Sequence, residues 1–419
     1  MDSRTFLKFA AAGVSLPLAS GLLSSCGSGD DGSVEANSDT SAAGATGASS
    51  GPMTKLKIGF IALTDCAPMV IAKELGYFEA RGIDASIEKQ ASWPALRDAL
   101  VNGDIDAAHC LYSMPFSLAT IGNQPDHPLR VAMLLNMNGQ AITLNAKDFA
   151  GVGYADLDGL RSKLESKPEK LAMTYPGGTH DLWLRYMLRA ADYTAKPDQI
   201  IPIPPPQMVE NMRADTMSGF CVGEPWNAKA VNDGIGFTFI TTQDIWQDHP
   251  EKAFVVGKRL TADTETLSKA MGAVLEAAKW LDVPANRKQA ATTISPEKYI
   301  NTPAANIEGR LTGVYDLGAD LGTKDFAGKQ MQFFKDGYVN APRRAYGIWA
   351  LAQYRRFGLI DKDPDYEGLA NKLILSDLYA EVAKAEGISV PEDDMKPFTV
   401  QLDKNTFDPT QPSKEASRA

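Results

Sequence analysis

The sequence predicts an α/β protein of two lobes with a helical C-terminal part, and three observations carry that reading. Strand-like and helix-like segments alternate in one series from residue 55 and in a second from about residue 170. From Thr264 onward the apolar period becomes that of helices. The length of 419 residues allows a sizeable core and more than one folding unit.

In the first series Lys55 to Phe60 reads as a strand. Thr64-Asp65 reads as the cap of a helix with Pro68 in its first turn and Val70, Ile71, Leu75 and Phe78 along its apolar face. The plan repeats in strand Ile83 to Ile87, cap Ser92 and helix Trp93 to Val101, followed by strands Asp106 to Cys110 and Leu129 to Leu135. In the second series, strand Lys170 to Tyr175 leads through Pro176-Gly177-Gly178-Thr179 into helix His180 to Ala191. Further strands are Ile200 to Ile203, Gly219 to Val222 and Phe237 to Ile240. Leu267, Met271, Val274, Leu275 and Ala278 share one face of a later helix, and a Pro-rich, charged tail follows Ile388.

Composition narrows the function. Apolar content of 44% and charged content of 22% suit a soluble globular chain, and a formal net charge of −10 argues against a nucleic-acid partner. An acidic chain that binds an anion needs a locally positive site. Lobes of this kind bind ligands at the carboxyl ends of their strands, where helix N-termini present free N–H groups. The helices after Asp65, Ser92 and Thr179 are placed to do this.

Arg4 and Lys8 precede an apolar run from Phe9 to Leu23, and Leu23-Ser24-Ser25-Cys26-Gly27 resembles the bacterial lipobox. The expectation is a signal peptide over 1–25, acylation at Cys26 and a flexible tether over 26–53. No apolar run long enough to span a membrane follows residue 26. Cys66, Cys110 and Cys221 fit no metal spacing and read as small buried hydrophobes.

Several segments together resemble the nitrate- and bicarbonate-binding proteins of ABC transporters. They are Ile58-Gly59-Phe60-Ile61-Ala62-Leu63-Thr64-Asp65-Cys66-Ala67-Pro68, Ala91-Ser92-Trp93, Asp106-Ala107-Ala108-His109 and Pro176-Gly177-Gly178-Thr179-His180-Asp181. Gly223-Glu224-Pro225-Trp226-Asn227, Ile245-Trp246, His249-Pro250-Glu251-Lys252 and Phe407-Asp408-Pro409 continue the match across residues 55–412. The resemblance implies a type II periplasmic-binding-protein fold, with a first lobe of 54–140, a second of 141–254 and a return to the first over 255–419. It implies a nitrate-binding monomer, with nitrite as a second substrate, that serves the permease and ATPase subunits of an importer. The lipobox adds a lipid anchor on the periplasmic side of the inner membrane.

The family's nitrate ligands carry over to Trp93, Gln140, His180, the backbone of Gly223 and Lys252. Their chemistry agrees, because nitrate only accepts hydrogen bonds and all five can donate. Bicarbonate carries a hydroxyl proton, and in its binding proteins the position matching Lys252 is acidic and works with calcium. Lysine here favours nitrate, with no metal and no cofactor. Taken singly, each residue has a plainer role: Trp93 a staple, His180 a solvated side chain, Lys252 a surface lysine, Gly223 a strand end. The other classes weighed are a bicarbonate-binding protein, a nitrate-sensing regulator and a Cys–His enzyme, which no sequence signature supports.

Overall fold

The computed structural model describes residues 52–418. The expected signal peptide, Cys26 and nearly all of the tether lie outside the described residues.

Ten strands form two five-stranded sheets. In chain order they are β1 (Thr54–Phe60), β2 (Ile83–Lys89), β3 (Ala107–Leu111), β4 (Arg130–Met137), β5 (Gln140–Asn145), β6 (Leu171–Met173), β7 (Ile200–Pro202), β8 (Gly219–Gly223), β9 (Gly236–Thr241) and β10 (Pro250–Val256). One sheet has the order β2-β1-β3-β10-β4 and the other β7-β6-β8-β5-β9. In each, the fourth strand alone runs antiparallel to both neighbours. That strand is also the one arriving from the other sheet. The chain leaves the first sheet at Met137 and enters the second at Gln140, then returns from Thr241 to Pro250.

The two arriving strands, β5 and β10, escape the sequence reading. Each is buried along its whole length, yet β5 opens on Gln140 and β10 on Pro250-Glu251-Lys252, so neither begins with an apolar run. The first crossing is a tight turn. Asn138 and Gly139 both take left-handed backbone (φ 61° and 92°), and a Cβ on Gly139 would sit 2.3 Å from the Met331 side chain.

Helices cover the sheets, beginning with α1 (Ala67–Glu74), α2 (Trp93–Asn102), α3 (Met114–Ala119), α4 (Leu157–Ser166) and α5 (Thr179–Ala190). Ser92 caps α2 as expected, its Oγ accepting from Ala95 N–H at 3.3 Å, and Gly103 ends the helix at φ 83°. The expected cap at Thr64-Asp65 is corrected. Those residues form a short 3-10 turn, α1 starts at Ala67, and no side chain caps it. Leu75 also leaves the apolar face assigned to it and is exposed, whereas Val70, Ile71 and Phe78 are buried.

The C-terminal part is helical, with Thr264–Asp282 the longest helix and its expected apolar face fully buried. The tail beyond Ile388 is folded. Strands Phe398–Val400 and Asn405–Phe407 pair as a hairpin, and Phe398 stacks on Trp246 with ring centroids 4.2 Å apart. Strands of three residues carry too short a period to be read from sequence. Among the described residues no helix is long and apolar enough to cross a membrane.

Candidate anion-binding site

Every side chain singled out from sequence for the site is fully buried, which removes the surface readings of His180 and Lys252. Trp93 is the first residue of α2, and His180 the second of α5, one place later than expected because Thr179 begins that helix. Gln140 opens β5 directly opposite Gly223 on β8, and Lys252 lies near the start of β10 opposite Leu111 and Asn136. Two helix N-termini, both crossing strands and the end of β8 therefore deliver the set.

A chain of contacts brings the five together. Lys252 Nζ lies 5.8 Å from the Trp93 ring centroid. It donates to Asp65 Oδ2 at 2.9 Å and also to Glu251 Oε1. A Cβ on Gly223 would stand 3.2 Å from the same Asp65 oxygen. His180 Nε2 lies 3.7 Å from Glu251 Oε1. Trp93 Nε1, His180 Nε2 and both polar atoms of the Gln140 side chain have no partner in the protein. A buried polar group without a partner costs about 1–3 kcal/mol, so Trp93 and His180 beside one ammonium, with Gln140 opposite Gly223, mark a place built to hold something.

Protonation states follow from burial and neighbours. Burial and the Lys252 charge push the His180 pKa well below 6.5, so the ring is neutral. His180 Nδ1 is hydrogen-bonded to the Thr174 hydroxyl; when that hydroxyl donates, the single ring proton sits on Nε2, the nitrogen without a protein partner. Lys252 stays charged: burial opposes this, and Asp65 and Glu251 more than offset it. An ammonium has three donors, of which the two carboxylates occupy two.

Those carboxylates are what the sequence reading missed. Burial disfavours the Asp65 charge, yet Lys252 and His109 hold its pKa well below the usual carboxylate range. His109 Nε2 donates to Asp65 Oδ1 at 2.6 Å. Glu251 shares Oε1 between Lys252 and the Thr179 hydroxyl (2.9 Å from the latter), while Oε2 has no partner. Both acids stand inside the motifs quoted from sequence, Asp65 three residues before Pro68 and Glu251 beside Lys252. From sequence alone Asp65 reads as a helix cap.

Segments that follow strands of the two sheets are tied to one another by hydrogen bonds. Ser113 and Ser117 hydroxyls donate to the carbonyls of Gly177 and Pro176, at 2.9 and 2.8 Å. Thr64 N–H donates to the Glu224 carbonyl at 2.7 Å, and the Trp226 indole to Ala62 O at 3.0 Å. Gly177 needs to be glycine twice over, for its φ of 70° and because a Cβ would meet Ser117 Oγ at 2.7 Å. Gly177 thus makes its close approach to α3.

Residues 49–295 match the NMT1-like family. Against the nitrate/nitrite binding protein NrtA of Nostoc sp. the chain is 38% identical over 375 residues, covering 86% of this chain and 84% of that one. The chain belongs to the NrtA family of nitrate/nitrite-binding proteins. This family member superposes on the crystal structure of the periplasmic nitrate-binding protein NrtA from Synechocystis with a TM-score of 0.81. That likeness comes at 33% identity and covers 87% of this chain and 98% of the other. A segment of the nitrate import ATP-binding protein NrtC of Synechocystis sp. is also similar, at 35% identity over 346 residues, 79% of this chain and 50% of that protein.

The three cysteines have no place in this chemistry. Cys66, Cys110 and Cys221 are buried and unpaired by disulfides, and burial drives each thiol pKa upward, away from the reactive thiolate.

Proposed function

We propose that this chain captures nitrate, with nitrite as a second substrate, and hands it to the permease and ATPase subunits of an ABC importer. The observation that supports this most is the set of unpartnered buried donors. Trp93 Nε1 and His180 Nε2 belong to side chains beside a charged, fully buried Lys252, and Gln140, opposite Gly223, adds an unpartnered amide. A planar anion that only accepts hydrogen bonds satisfies them together, and Gly223 lets the backbone of β8 come close. Lys252 stands where the bicarbonate-binding relatives are expected to be acidic, which favours nitrate over bicarbonate.

The β2-β1-β3-β10-β4 sheet and the β7-β6-β8-β5-β9 sheet, each with its helices, are the cores of two lobes that part to admit the anion and close on it. The names of the relatives and the structural likeness support a periplasmic setting. The lipobox at Cys26 supports an anchor on the outer face of the inner membrane.

Calorimetric titration of the purified protein with nitrate, nitrite and bicarbonate, the last with and without calcium, tests the reading. Saturable nitrate binding with no bicarbonate heat is expected. Bicarbonate binding without nitrate binding would overturn it.

A further inference from the structure

We propose that capture of the anion is coupled to uptake of one proton by Glu251, so that this carboxyl changes from an acceptor facing the ligand into a donor, and nitrate binding weakens in alkaline solution. The inference rests on the nitrate reading above and adds a regulation of that same site.

The geometry raises the problem that the proton solves. One ammonium, Lys252, serves two carboxylates, Asp65 and Glu251, all three fully buried. An anion reaching both His180 Nε2 and Lys252 Nζ lies beside Glu251, because His180 Nε2 is 3.7 Å from Glu251 Oε1. With both acids ionised, its arrival makes three negative charges around one positive among fully buried side chains. Like charges at such range in a low dielectric cost several kcal/mol, and a proton on one of them removes most of that.

The groups facing Glu251 decide which acid takes the proton. On β10 these are Lys252 and His249, whose Nδ1 is 4.0 Å from Oε2. From the turn after β1 comes Asp65, backed by His109 of β3. Helix α5 contributes Thr179 and His180, and β8 contributes Cys221. Burial keeps both nearer histidines neutral and the thiol protonated. Asp65 takes hydrogen bonds from Lys252 and His109 and is held ionised. Glu251 alone has an oxygen, Oε2, with no partner. Burial first, then the Asp65 charge, lift its pKa to about 7 in spite of Lys252. A hydrogen on Oε2 supplies one more donor for an acceptor-only ligand.

The sign follows. Glu251 without the anion titrates at about 7, and a bound anion raises that value further. Below about pH 7 the carboxyl already carries its proton and affinity is level. Above it, affinity falls by up to about tenfold per pH unit, the slope of one linked proton.

Calorimetry of the full protein with sodium nitrate, from about pH 6 to about pH 9 in buffers of contrasting ionisation enthalpy, tests the coupling. The expected result is a buffer-dependent heat equivalent to nearly one proton taken up per nitrate at about pH 8, with Kd rising through the alkaline range. Glu251→Gln, checked for folding by its thermal transition, should bind nitrate with neither buffer dependence nor pH dependence. A wild-type Kd constant over that range overturns the proposal. So does unchanged proton uptake in Glu251→Gln, which would move the proton to another group. Absence of nitrate binding at every pH would remove the nitrate reading itself, and the coupling with it.

Discussion

Replacing Lys252 by methionine keeps most of the side-chain volume and deletes the charge at the centre of the site. In the structure this ammonium is fully buried, donates to Asp65 Oδ2 at 2.9 Å and also bonds Glu251. Removing one partner of a buried ion pair costs about 3–5 kcal/mol, because the other charge is stranded. Here Glu251 can escape by taking up a proton, and Asp65 keeps its bond to His109. The loss should therefore fall near the lower end, about 3 kcal/mol. At roughly 2–4 °C per kcal/mol for a domain of a few hundred residues, the melting temperature drops by roughly 6–12 °C. Nitrate also loses one charge-assisted hydrogen bond, about 1.5–3 kcal/mol, which raises Kd roughly ten- to a hundredfold. Differential scanning calorimetry without ligand and titration with nitrate measure the two effects separately. Lys258→Met, at an exposed position, should show neither. A Lys252→Met protein as stable as wild type, with unchanged nitrate affinity, would refute both the bridge and the site.

Three further outcomes follow from single side chains. Gln140 is fully buried with both its polar atoms unpartnered, so Gln140→Met should stabilise the unliganded protein by about 1–3 kcal/mol while weakening nitrate at least about tenfold; calorimetry reads both. Gly177→Ala forces a methyl to within 2.7 Å of Ser117 Oγ and strains the left-handed backbone, and should hold the lobes apart. Small-angle scattering with nitrate should then show a larger radius of gyration than wild type, and calorimetry a weaker affinity. Cys26→Ser should move the protein from the membrane fraction to the soluble one, and an unacylated, soluble wild type would contradict the anchor.

Most of the fold's legibility came from apolar period. The burial of β1, β3, β4 and the Thr264–Asp282 helix follows side-chain pattern closely, and Ser92 caps as its type suggests. What the pattern hid is instructive about function. Strand β5 opens on Gln140 and β10 on Pro250-Glu251-Lys252, and the fold buries the polar residues among these completely. A period-based reading treats such residues as interruptions. The same holds for Asp65, whose type and place before Pro68 suggest a helix cap but whose side chain turns to Lys252 and His109. Trp93, His180 and Lys252 were reached through motifs, since each taken alone has a plainer role that only burial removes. The hairpin after Ile388 was lost for a different reason: its strands are three residues long.

The most direct test of the account is a crystal structure of the protein grown with nitrate. A planar ligand within hydrogen-bonding distance of Trp93 Nε1, Gln140 Nε2, His180 Nε2 and Lys252 Nζ, with Glu251 Oε2 turned toward it, is the expected result. Nitrate bound elsewhere, or this pocket closed and empty with nitrate saturating in solution, would contradict it.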